Sequence, residues 1–160
     1  MRDLTRAIKG PIMMHYNAIL RVIRYSVDTP ERGWLLKPTR TWDGKSKFKF
    51  RISGKSDSDY AQCPTTRRNL SGYNVKLEGA VIICKSGIQK PTTLSVTESE
   101  TVSGVTCAQE IICAKNFIDS IGLEVELLMI LEIDNMGTVD MAQNFRQGVG
   151  QNIWRFGCFC

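Results

Sequence analysis

Histidine is nearly missing from this chain: His15 is the only one in 160 residues. Ser/His/Asp catalysis would need that lone imidazole to reach in from an N-terminal helix, which argues against it. The six cysteines (Cys63, Cys84, Cys107, Cys113, Cys158 and Cys160) form no CxxC pair, so a zinc site lacks its ligands and the thiols read as ordinary reduced cysteines. The longest apolar runs, Ala80–Cys84 and Leu127–Leu131, fall far short of the roughly 20 residues that span a bilayer. Met1 is followed by Arg2, Asp3 and Arg6 with no apolar segment behind them, so the expectation is an intracellular chain, cytoplasmic or nuclear, with no membrane partner. A Gly-rich phosphate loop is lacking too, since Gly148 and Gly150 follow no strand pattern.

Basic residues are scarce in the second half. Residues 1–90 hold 18 Lys and Arg against 7 Asp and Glu, whereas residues 91–160 hold 3 against 9. A basic half suits a polyanionic partner, and an acidic half brings carboxylates that can carry cations. With 42% hydrophobic and 23% charged residues, the composition is that of one globular domain with a sizeable core.

The hydrophobic periods mark out the elements. Residues 11–27 predict an amphipathic helix, with Pro11 at its start and Ile12, Tyr16, Ile19 and Ile23 along one face. His15 lies beside that stripe as a packing or capping residue. Residues 31–46 read as a hairpin or connecting loop. From Lys47 to Tyr60, Phe48, Phe50 and Ile52 alternate with polar residues as in a half-buried strand that ends in Asp57 and Asp59. After a turn-like segment with Pro64 and Gly72, residues 72–87 predict a hairpin turning at Glu78-Gly79. Residues 95–121 predict a long helix whose packing stripe runs through Glu100, Gly104, Cys107, Ile111, Ala114, Ile118 and Ile121. Gly122 closes it. A continuous apolar run then leads to Asp134-Asn135, as in a central parallel strand, and a short helix follows from Met136 to Asn144.

The carboxylates carry the chemistry. Glu100 sits on the packing stripe, where an isolated charge is costly, whereas Glu98 points away and suits the surface. Asp134 stands at the carboxyl end of a strand, the place where open α/β sheets put their ligands. Asp57, one of the two acids at Glu98/Glu100, and Asp134 are therefore expected to meet at one Mg²⁺ site acting on nucleic acid.

Three strands, a helix, a strand and a helix, with acids on the first strand, the first core helix and the fourth strand, resemble the ribonuclease H fold. The chain more closely resembles the reverse-transcriptase–ribonuclease H segment of copia-type retrotransposon polyproteins. The motifs that carry this are LTRAI near Leu4, RVIRYSVDTPERG from Arg21, SDSDYAQCPTTRRNLSGY from Ser56, SVTESE from Ser95 and ILEIDNMGTVDMAQN from Ile130, covering the chain to about Asn144. The resemblance implies an α/β, ribonuclease H-like mixed sheet of three antiparallel strands followed by helix, strand and helix. Residues 1–46 would be the tail and tether of the polymerase region, 47–144 the nuclease-like domain and 145–160 an aberrant tail. By resemblance, Asp57, Glu100 and Asp134 are the catalytic and metal-binding acids, and the role of Asp59 stays open. Arg67 and Arg68 are the paired arginines that contact phosphates. The cofactor implied is Mg²⁺, with Mn²⁺ as an alternative, the substrate an RNA–DNA hybrid, and the remaining partner the rest of the polyprotein.

The match breaks at the end. The family carries a fourth acidic residue after a Lys-His pair, preceded by a fifth strand, whereas this chain has no acid after Asp140. Read from the third base of the Gln151 codon, synonymous choices for Gln151–Cys160 allow K-H-M-E-V-R-L-F-L, which is like the missing segment. The tail thus reads as a frameshifted replacement, and the last strand and helix are expected to be missing. The leading expectation is a hybrid-cleaving nuclease impaired by that loss. The alternative is a non-catalytic nucleic-acid-binding remnant, and a third is a remnant with no biochemical role.

Overall fold

Helix α1, Met13–Asp28, begins where the His15 ring accepts a hydrogen bond from the Ile12 amide (3.1 Å), so the histidine caps the helix. At the other end Thr29 N–H donates to the Tyr25 carbonyl and Pro30 prevents continuation. None of the helix residues is buried. The computed structural model describes residues 9–33, 36–60, 68–146 and 154–158. The chain divides into two units, Met1–Trp34 with α1 and Leu35–Cys160 with everything that follows.

In the second unit, strand β1 (Lys49–Phe50) pairs in parallel with β5 (Glu124–Val125) as a small separate sheet. The main sheet has five strands: β2 (Ile52–Asp59), β3 (Leu70–Leu77), β4 (Ala80–Ile88), β6 (Met129–Ile133) and β7 (Trp154–Cys158). Their order is β4-β3-β2-β6-β7; β2, β3 and β4 are antiparallel neighbours, while β6 runs parallel to both β2 and β7. Helices α2 (Val96–Ser120) and α3 (Met136–Arg146) complete the unit.

The strand expected from Lys47 to Tyr60 is interrupted at Arg51. Its amide donates to the Glu78 carboxylate (2.7 Å), and its carbonyl accepts from the Glu78 amide (2.9 Å), so this residue pairs with the hairpin turn instead of a strand. That turn has positive φ at both central residues, Glu78 (52°) and Gly79 (86°), the conformation that matches the twist of a two-residue hairpin. Arg40 closes on the Glu78 carboxylate with two contacts (2.7 and 2.5 Å), and its guanidinium lies 4.7 Å from the centre of the Phe48 ring.

Helix α2 is started by Ser95, whose Oγ accepts from the Glu98 amide (3.1 Å), while the Glu98 carboxylate accepts from the Leu94 amide (2.7 Å). Glu98 is therefore a capping residue at the surface. Of the expected packing stripe, Glu100, Gly104, Cys107, Ile111 and Ile118 are buried and Ala114 is half-buried, but Ile121 is exposed because the helix has ended. The core joins this stripe to Ile52, Tyr73, Val75, Met129, Leu131, Ile133 and Val139.

Two glycines set how close α2 comes to the sheet. A Cβ on Gly54 would lie 2.7 Å from both Cys107 Sγ and Ile111 Cδ1, and one on Gly104 would lie 3.0 Å from Ile133 Cδ1. The mid-helix glycine thus serves close packing on a strand. Burial pushes the Cys107 thiol up to about 12, which keeps it protonated and inert.

One expectation is corrected. The last strand is not missing: Trp154–Cys158 forms β7 beside β6, with Met129 opposite Trp154, Leu131 opposite Phe156 and Ile133 opposite Cys158. The tail supplies what an edge strand needs, because Trp154, Phe156 and Cys158 alternate with Arg155 and Gly157 and pack on the core. No helix follows β7 among the described residues.

Candidate active site

The site lies where β6 leaves the sheet. In β2, Ile52, Gly54, Ser56 and Ser58 are buried towards α2, and Asp57 and Asp59 fall on the opposite strand face, exposed. The parallel register ends with Ser56 opposite Ile133, and Asp57 and Asp134 are the residues that follow those two. Asp134 is exposed. Directly after it, Asn135 Oδ1 accepts from the Thr138 amide (3.0 Å) and caps α3. The partial positive charge of that helix start favours a carboxylate beside it.

Glu100 approaches from α2. It is only 4% exposed, and one oxygen, Oε1, accepts two hydrogen bonds from Ser58: from the amide at 3.0 Å and from Oγ at 2.8 Å. Ser58 lies two residues past the last β2 residue paired with β6. The glutamate thus takes up the strand margin that β6 has vacated. The second oxygen, Oε2, is buried with no hydrogen-bond partner among the described residues. Burial pushes the Glu100 carboxyl above its ordinary value. The two bonds from Ser58 oppose that shift, and the negative charges of Asp57 and Asp134 add to it. Glu100 therefore lies within the field of Asp57 and Asp134 at this end of the sheet. Among the described residues, however, no three His, Cys, Asp or Glu side chains are drawn together closely enough to hold a metal ion.

The surroundings are pinned by polar contacts. Ser103 Oγ donates to the Asp57 carbonyl (2.8 Å), tying α2 to β2 at the acid. The Gln89 amide group donates to Ser71 Oγ and to the Ser99 carbonyl, both at 2.8 Å, so β3, β4 and the first turn of α2 are joined. Asn69 Nδ2 bonds to Gln89 Oε1 (3.0 Å) and to Thr93 Oγ1 in the same buried network.

Arg68 is exposed, two residues before Leu70, which pairs with Asp59; it therefore stands at the acidic end of β2. Arg67, Cys63, Cys160 and the LTRAI segment lie outside the described residues. Asp59 is exposed, on the strand face opposite Ser58. Ser58 and Asn135 escaped the sequence reading. The signal for Ser58 was its parity with Ile52, Gly54 and Ser56, a run of small residues facing a helix.

No protein-family model matches this chain. No solved structure matches it either. It is 34% identical over 107 residues to the secreted RxLR effector protein 161 of Plasmopara viticola, a match covering 67% of this chain and 70% of that protein. It is 26% identical over 141 residues to the retrovirus-related Pol polyprotein from transposon TNT 1-94 of Nicotiana tabacum. Over the same length it is 27% identical to that from transposon RE2 of Arabidopsis thaliana. Each of these matches covers 88% of this chain but only 10% and 9% of the polyproteins, so the chain spans about a tenth of their length. The chain belongs to the family of the Plasmopara viticola effector protein, and it is a retrotransposon-derived protein related to Pol polyproteins.

Proposed function

We propose that the five-stranded sheet and two helices of the second unit are a ribonuclease H-like module that hydrolyses RNA in RNA–DNA hybrids, with Asp57, Glu100 and Asp134 as the acids that hold Mg²⁺ or Mn²⁺. The observation that carries this reading is the buried Oε2 of Glu100, unpartnered among the described residues, at the sheet end where Asp57 and Asp134 follow the last paired residues of β2 and β6. A desolvated carboxylate oxygen in the field of two more carboxylates is relieved by a cation better than by any neutral donor. The donor set is all hard oxygen, which suits Mg²⁺, an ion that keeps several waters. When bound, such ions activate the attacking water and stabilise the leaving 3′ oxygen. Glu100 is held by Ser58, and Asp57 and Asp134 are exposed just past the last residues that pair β2 with β6. Arg68, with Arg67, would hold backbone phosphate beside them.

The activity is low in this reading. Residues 141–160 hold no Asp or Glu to serve as the family's fourth acid, so the ion would have one protein ligand fewer. The experiment is hybrid cleavage in Mg²⁺ or Mn²⁺ by the parent chain and by Asp57→Asn. Weak cleavage abolished by the substitution is expected. Equal turnover by both chains, or hybrid binding without cleavage, would leave the non-catalytic binding reading in its place.

A further inference from the structure

We infer that Ser58 is the residue that positions Glu100, locking one carboxylate oxygen so that the other is presented alone as a ligand. This rests on the metal-site reading above and names the residue that organises it. Both donors from Ser58 end on the same oxygen, Oε1, at 3.0 Å from the amide and 2.8 Å from Oγ. Neither reaches Oε2, which is buried and unpartnered among the described residues. Two bonds to one oxygen from a single residue fix both the position and the plane of the carboxylate.

Ser58 itself cannot drift. It is nine-tenths buried, and it is held in β2 opposite Ser71 of β3. The helix that bears Glu100 is held just as firmly. Ser103 bonds the Asp57 carbonyl one turn further on, and the Ser99 carbonyl accepts from Gln89 one residue earlier. The acid is thus clamped from β2, from β3 and β4 through Gln89, and along α2. Asp57 and Asp134 are exposed, and among the described residues neither carboxylate has a comparable pair of hydrogen bonds. The consequence is a site with one preset oxygen and two exposed acids. The serine hydroxyl matters because alanine or glycine at this position would keep the amide donor but lose the second bond, freeing the carboxylate to rotate.

The test is Mn²⁺ affinity by titration calorimetry for the parent chain, Ser58→Ala and Ser58→Thr. Loss of a group that orients a metal ligand weakens metal binding by about 10–100-fold, so Ser58→Ala is expected to fall about tenfold or more. Ser58→Thr keeps the hydroxyl and is expected to stay near the parent. Parent-like affinity in Ser58→Ala overturns this inference alone, and so does equal weakening in both variants. Absence of saturable Mn²⁺ binding by the parent overturns it together with the metal-site reading. A second measurement needs no variant to fold: the Ser58 amide resonance of the parent is expected to move with Mg²⁺ addition in step with binding. A stationary Ser58 amide during saturable binding overturns the inference.

Discussion

Glu100 and Glu78 are two buried glutamates with opposite fates. Glu78 is 4% exposed and faces Arg40, whose guanidinium bond is the main reason its carboxyl lies below the ordinary range, although burial opposes that shift. Such a depressed group adds stability above its unfolded pKa and loses it as pH falls through the folded value. Arg40→Ala should therefore lower stability near pH 7 and cost much less once Glu78 is protonated. Chemical denaturation at the two pH values measures this. Glu100 behaves the other way. Its folded carboxyl lies above the ordinary 4.5, mainly through burial, so ionisation costs stability, with the cost absent below the unfolded pKa and fully present above the folded one. Glu100→Gln keeps an acceptor for Ser58 and removes the charge. Its denaturation midpoint should exceed the parent's at pH 7, and the gain should vanish near pH 4. A gain of equal size at both pH values would refute the burial argument.

At the scale of elements, the contact of α2 with β2 sets the core. Ile111 is fully buried, and truncation to alanine there should cost about 2–5 kcal/mol. Gly54→Ala should cost about 1–3 kcal/mol by overpacking, because its methyl group would run into Cys107 and Ile111. Both show as lowered denaturation midpoints with unchanged slopes. This contact was legible in the sequence. The four-three stripe from Glu100 to Ile118 named the buried face of α2, and Glu100 stood out as its one charged member. The parallel strand before Asp134 was legible for the same reason: a continuous apolar run fits a strand covered by neighbours. The break at Arg51 was not legible, since it depends on a tertiary bond to the buried Glu78. Nor was β7, where Trp154, Phe156 and Cys158 carry a plain alternation that the odd composition of the tail disguised. The bonds from Ser58 to Glu100 were hidden because residues 42 positions apart meet only once the sheet is assembled.

Across the whole molecule, charge and covering decide how the chain behaves. The basic excess of residues 1–90 favours phosphate partners, so affinity for an RNA–DNA hybrid should fall linearly on a log–log plot of binding against salt, as counterion release requires. Arg68→Ala should reduce that slope. Strand β7 is the edge that covers β6, with Phe156 beside Leu131. A chain ending at Asn144 should therefore expose an apolar strand edge and elute on a sizing column as larger species. The central claim is that three acids from β2, α2 and the end of β6 share one divalent ion, and paramagnetic broadening by substoichiometric Mn²⁺ tests it most directly. The account predicts that resonances at Asp57, Glu100 and Asp134 broaden together at one Mn²⁺ concentration and that Asp57→Asn spares all three. Broadening of separate surface acids at unrelated concentrations, with Glu100 untouched, would contradict it.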